Sequence, residues 1–195
     1  MQFHLIAFTI ELYDAWKVAF AESPEVMISK GDILSFTADA IESPANSFGY
    51  MDGGLDLKYS QFFGWDLEKR LRRLLIEKYF GELPVGQAAI VKTAHQDIPY
   101  LISAPTMRVP MNVANTLNAY LAFKAVIQAV QGFNQSESEQ ITSLLCPGLA
   151  TGEGGMPPER CAMQMYKAYS LCMLNQIETM GGLAGAVRNH LDLIK

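Results

Sequence analysis

Two short glycine-bearing stretches, Gly49 to Gly54 and Gly148 to Gly155, and three polar side chains, Asp32, Asn46 and Asp56, are the residues here most able to do chemistry. Glycine lets the main chain approach a ligand closely and leaves N–H groups free to donate. Two such loops that face each other and lead into helices make a clamp for a diphosphate. Taken alone, each loop is more often just a turn. Gly152 to Gly155 lacks the Gly-Lys-Ser/Thr ending of a phosphate-binding loop, which disfavours a nucleoside triphosphatase. Asp56, next to Gly53 and Gly54, suits a general base for a water one hydrogen bond away. It equally suits the N-terminus of a helix on dipole grounds alone.

These residues need a frame, and the apolar rhythm supplies one. Phe3 to Ile10, Val26 to Ile28, Ala38 to Glu42, Ala88 to Val91, Tyr100 to Ala104 and Ile141 to Cys146 read as strands. Between them lie helical patterns over Glu11 to Ala21, around Leu67, Leu71, Leu74 and Leu75, over Asn112 to Val130, and from Pro158 to Met180. The basic run Lys69 to Arg73 reads as a solvated helix face, with Glu68 and Arg72 an i,i+4 pair. The tail from Ala184 reads as a short helix docking on the body or on a second subunit. Alternating strands and helices imply an α/β fold with a mainly parallel sheet covered on both faces. In such sheets ligands gather at the carboxyl ends of strands, where Gly31-Asp32-Ile33 and both glycine loops fall.

Composition narrows the function classes. Half of the 195 residues are hydrophobic and 18% are charged, ample for a core and unlike a disordered chain. A formal charge of −5 gives no electrostatic footprint for nucleic acid, and no groove for one is expected. No apolar run approaches the length of a membrane span, and the first residues lack the pattern of a signal peptide. Cys146, Cys161 and Cys172 have no paired spacing, so a reducing, cytoplasmic setting is expected. His4, His95 and His190 are scattered without metal-ligand spacing, and neither a metal nor a cofactor is expected.

In combination these pieces resemble the macro domain family. Gly31-Asp32-Ile33, Asp39-Ala40-Ile41 and Ala45-Asn46-Ser47 are similar to its opening motifs. Gly53-Gly54-Leu55-Asp56 looks like the end of its first loop, and Leu145 to Gly152, continuing to Pro157, like its second. The resemblance spans about residues 26 to 170. It implies one macro domain over 1–195, with a core of about 26–180 and a tail over 181–195. The implied fold is a three-layer α/β/α sandwich around a mixed, mostly parallel six-stranded sheet.

The implied ligand is ADP-ribose or an ADP-ribosylated substrate. Asp32 would accept from the adenine amino group, with Ile33 beside the ring. Asn46 would hold the distal ribose. Main-chain N–H groups around Gly53, Gly54 and Leu55, and around Ala150, Thr151, Gly152, Glu153 and Gly154, would hold the pyrophosphate. In the hydrolases of the family the residue matching Asp56 orients or deprotonates the water that attacks the anomeric carbon, or otherwise engages the distal ribose, so the resemblance implies Asp56 and Asn46 as the catalytic residues.

The chain also departs from the pattern. Ser43 stands where family hydrolases carry an asparagine, Tyr50-Met51-Asp52 interrupts the first glycine run, and Gly154 replaces a frequent aromatic. Lys58 and Phe63-Gly64 are similar to features of a lysine-dependent branch, but Ser60 occupies the matching nucleophile position. Three readings stay open: an ADP-ribosyl hydrolase, a non-catalytic ADP-ribose reader, and a scaffold with a degenerate site.

Overall fold

A computed structural model describes residues 1–177 and 181–195. Its elements run β1 (Gln2–Ala7), α1 (Ile10–Ala19), β2 (Val26–Lys30), β3 (Ala40–Ser43), α2 (Gly54–Phe63), α3 (Asp66–Tyr79) and β4 (Ala89–Lys92). They continue with β5 (Tyr100–Ser103), α4 (Asn118–Ser136), β6 (Ser143–Cys146), α5 (Pro158–Cys172) and α6 (Leu183–Leu193). One six-stranded sheet has the order β2-β1-β6-β3-β5-β4. All neighbours are parallel except β4 and β5.

Strand alternation sends successive side chains to opposite faces, and each face has its own core. Phe3, Leu5, Ala40 and Leu144 join Trp16 of α1, Phe123 of α4 and Met165 of α5. Ile6, Ile41, Leu101 and Leu145 join Tyr59 of α2 and the leucine stripe Leu67, Leu71 and Leu75 of α3. The result is a three-layer α/β/α sandwich. No helix is long and apolar enough to cross a membrane among the described residues.

Several boundaries differ from expectation for identifiable reasons. The first strand stops at Ala7, because the Thr9 hydroxyl accepts from the Leu12 N–H and caps α1. The fourth helix starts at Asn118 rather than Asn112. Ahead of it, Asn112 accepts from the Ala114 N–H and the Thr116 hydroxyl donates to the Val113 carbonyl. Such local side-chain bonds compete with helix formation. That helix runs through Gly132 to Ser136, into the expected polar loop. The next ends at Cys172; Ile177 is exposed, and Met180 lies outside the described residues. The basic run is more than a wet face, since Arg70 donates to the carbonyls of Lys92 and Thr93. The tail forms α6 and docks on the body at its end, where Leu193 is buried and Gln164 donates to its carbonyl.

The first strand and helix lie ahead of the expected core, yet β1 is interior to the sheet, between β2 and β6. Trp16 is wholly buried beneath α1, and Phe3 meets Phe123 and Tyr169 edge to face. Truncating Trp16 to Ala should therefore cost about 3–5 kcal/mol. Urea unfolding followed by far-ultraviolet circular dichroism measures it, and a loss under about 1 kcal/mol would contradict this packing.

Candidate functional site

The connections out of β1 and β3 leave on opposite faces of the sheet: α1 joins one core and α2 the other. Between their starts the strand ends stay uncovered, and a crevice of about 800 Å³ opens there. That size suits a small-molecule site, for which about 300–1,000 Å³ is usual. Gly31-Asp32-Ile33, Asn46, Asp52 to Asp56 and Ala150 to Gly154 all border it, so every expected site residue meets in one place.

The first loop is braced from beneath. The Asn46 side chain accepts from the N–H groups of Phe48 and Tyr50 and donates to the Tyr50 carbonyl at 2.7 Å. Glu68 on α3 accepts from the Met51 N–H at 2.8 Å, and the Ser60 hydroxyl donates to the Met51 carbonyl. Ser60 is thereby buried and engaged, not exposed as a nucleophile. With the loop fixed this way, Gly53 precedes α2 as its capping residue, with no side-chain hydrogen bond. The N–H groups of Gly53, Gly54 and Leu55 then have no protein partner among the described residues. A helix start of this kind attracts an anion through its free donors and its dipole.

The second loop is tied back on itself. Gly155 donates to the Gly152 carbonyl, Met156 to the Ala150 carbonyl, and Val113 to the Gly154 carbonyl. Ala150 sits at φ +59°, and Thr151 to Gly154 keep their N–H groups unpaired among the described residues. Gly154 has no room for a side chain: a Cβ would lie 2.6 Å from the Ala150 carbonyl oxygen and 2.8 Å from Val113. Glu153 is exposed on the rim.

At one end, one Asp32 carboxylate oxygen caps the following 3-10 turn by accepting from the Leu34 N–H at 3.0 Å, leaving the other oxygen over. Ile33 is buried beside it. Phe8, at the end of β1, is 77% exposed and also borders the crevice, with the Lys58 ammonium 5.1 Å from its ring centre. Reading Phe3 to Ile10 as one strand hid Phe8 from the sequence analysis. An aromatic residue directly after the buried run Leu5 to Ala7 was the available signal.

Two acids are buried near the end of β3: Asp56, which borders the crevice, and Glu42. Asp56, on α2, is 8% exposed and accepts from the Ser43 hydroxyl at 2.5 Å. Burial pushes its carboxyl up to about 7; the Ser43 hydrogen bond opposes this and nearby Glu68 adds to it. Glu42 points to the other face, wholly buried, with the Cys146 thiol beside it and no hydrogen-bond partner for either oxygen. Burial holds its carboxyl up to about 8, so it is mostly protonated at neutral pH. Sequence reading missed Glu42, because the run Ala38 to Glu42 carries two acids, Asp39 and Glu42, and residue type alone does not show which is buried.

The sequence profile of the macro-like domain family matches residues 28–192. An "uncharacterized protein" of Sulfurisphaera tokodaii is 30% identical over 142 residues, covering 73% of this chain and 72% of that one. One of Aquifex aeolicus is 29% identical over 143 residues, covering 73% and 79%. Among solved structures, the macrodomain of Mycobacterium tuberculosis DarG has a TM-score of 0.60 at 20% identity, covering 72% of this chain and 86% of that one. A mutant Oceanobacillus iheyensis macrodomain with ADPR has a TM-score of 0.59 at 19% identity, covering 73% and 76%. Thermosipho africanus DarTG in complex with ADP-ribose has a TM-score of 0.58 at 14% identity, covering 79% of this chain and 46% of that one.

Glu42 generates a pH-dependent expectation. In the unfolded chain its carboxyl ionises near 4.5, whereas the folded protein keeps the proton to about 8. Its contribution to stability is fully present below 4.5 and is lost as pH rises towards 8. Glu42→Gln should therefore gain on wild type by a few kcal/mol between pH 5 and pH 8, read by denaturant midpoints at each pH. A difference that stays flat over this range would reject a buried, protonated Glu42.

Proposed function

Because the chain belongs to the macro-like domain family, we propose that it binds ADP-ribose in the strand-end crevice and hydrolyses an ADP-ribosyl bond there. The observation that carries this reading is a pair of facing loops with unpaired N–H groups, beside a buried carboxylate that borders the same crevice. The two loops supply neutral donors to the pyrophosphate, as an anion site built from main chain requires. The spare Asp32 oxygen accepts from the adenine amino group, while the ring lies between Ile33 and the exposed face of Phe8. Asn46 faces the distal ribose, with Asp56 behind it.

In hydrolysis Asp56 takes a proton from a water whose oxygen forms the new bond to the anomeric carbon. The bond from that carbon to the leaving atom breaks, and its electron pair goes to the leaving group. A carboxyl held near neutrality is well matched to this task at physiological pH. The substrate class is an ADP-ribosylated protein side chain, a nucleic-acid end or a small ADP-ribose derivative. Binding without turnover is the second reading. It is favoured by Asn46, whose side chain is engaged by its own loop. The scaffold reading has less support, since the crevice is open rather than filled by its own side chains.

Calorimetric titration with ADP-ribose should give saturable binding in wild type and at least a hundredfold weaker binding in Gly154→Val, where the added side chain meets the Ala150 carbonyl. Absence of heat at millimolar ligand would leave only the scaffold. Asp56→Ala should lower turnover of an ADP-ribosylated substrate by about 10²- to 10⁴-fold while retaining ligand affinity. An unchanged rate would remove Asp56 as the base, and binding with no turnover in wild type would favour the reader.

A further inference from the structure

Asp56 is the third residue of a helix whose first residue is Gly54, yet no side chain caps that helix start. A carboxylate at this position commonly reaches back to the main-chain N–H of the capping residue. Here it bonds to the sheet instead. Ser43, the last residue of β3 and wholly buried, donates its hydroxyl proton to Asp56 Oδ1 at 2.5 Å. Among the described residues Oδ2 makes no hydrogen bond, and it is not among the sealed polar atoms that lack one. It is therefore the oxygen open to the crevice that Asp56 borders.

We infer that Ser43 is a positioning residue, which holds the Asp56 carboxylate charged and fixed so that its second oxygen meets the attacking water. The inference rests on the hydrolase reading above. The groups facing Asp56 explain why one hydroxyl has this leverage. Glu68 of α3 and Tyr59 of α2 interact electrostatically with it, and Asp32, Asp52 and Glu153 share the crevice. The one cation bordering that crevice among the described residues is Lys58, whose ammonium lies over Phe8. No other protein group donates a hydrogen bond to the Asp56 side chain among the described residues. With burial and Glu68 both favouring the neutral acid, the Ser43 hydroxyl is the interaction opposing them.

The series Ser43, Ser43→Cys and Ser43→Ala grades the donor from strong to weak to absent, with little change in volume. Each protein is assayed twice: for the Asp56 titration midpoint by carbon-13 resonance of its carboxyl, and for the pH profile of kcat on an ADP-ribosylated substrate. Thermal melts and ADP-ribose titration establish that each variant is folded. In the Ala variant both the titration midpoint and the acid limb of the kcat profile should rise by about one pH unit, with the Cys variant between. Below the limb this is about a tenfold loss of kcat, while ADP-ribose affinity stays within about threefold. An Asp56 midpoint that does not move with the series overturns the inference, whatever the turnover. If the midpoint moves but wild type has no turnover, the hydrolase reading falls and takes the positioning role with it. If kcat falls equally at every pH with a fixed midpoint, Ser43 is structural only, which also overturns the inference.

Discussion

The candidate site depends on main-chain N–H groups that have no protein partner among the described residues. A folded chain normally satisfies its buried donors internally, and an orphan left dry is costly. Around this crevice the opposite is arranged. The turn at Asn46 is closed by that residue's own side chain, Met51 is held by Glu68, and Gly154 is pinned through its carbonyl by Val113. Each brace spends a carbonyl, a side chain or an N–H just outside the cradle. The donors from Gly53 to Leu55 and from Thr151 to Gly154 are left without a protein partner among the described residues. The same account explains why Gly154 tolerates nothing larger, since its Cα packs where the second loop doubles back.

The two acids beneath the crevice differ in what their burial achieves. Glu42 and Ser43 are adjacent on β3, so their side chains lie on opposite faces of the sheet. On one face Glu42 meets an apolar core and a thiol, and it stays protonated without a partner. On the other face Ser43 meets Asp56 at the crevice floor. Burial raises both carboxyls, but Asp56 accepts the Ser43 hydrogen bond, which favours its charged form, and it borders the crevice. A shared cause thus gives one acid sealed in the core and one at the edge of the crevice.

The fold was legible because its signals are periodic and long. The leucine stripe at Leu67, Leu71 and Leu75 and the strand-like runs at Tyr100 to Ile102 survive any error in their ends. Boundaries were less legible where a side chain competes with the main chain, as at Thr9 and Asn112. Of the site, the glycine loops, Asp32, Asn46 and Asp56 could be found from residue type and interval. Ser43 could not, because its bond to Asp56 joins β3 to α2, and Phe8 was missed because the first strand was read through it. Ser43 in particular looked like a defect, an asparagine lost, until Asp56 was seen to lie within hydrogen-bond distance of it.

Charge around the crevice bears on the proposed binding of a diphosphate by an acidic protein. Asp52 and Glu153 stand on the exposed rims of the two loops, and Lys58 is engaged with the Phe8 ring. Side-chain cations therefore contribute little to the cradle, and attraction must come from dipoles fixed at short range. Such dipoles act within a hydrogen-bond length, whereas the rim carboxylates act through water and are screened over about 8–10 Å at moderate ionic strength. A ligand seated deep between the loops gains the first effect and feels little of the second. An anion that merely hovers at the mouth meets the reverse balance. The acidic rim and the neutral cradle together favour a ligand shaped to reach the floor, with an apolar ring to lay against Phe8 and Ile33, over a bare phosphate.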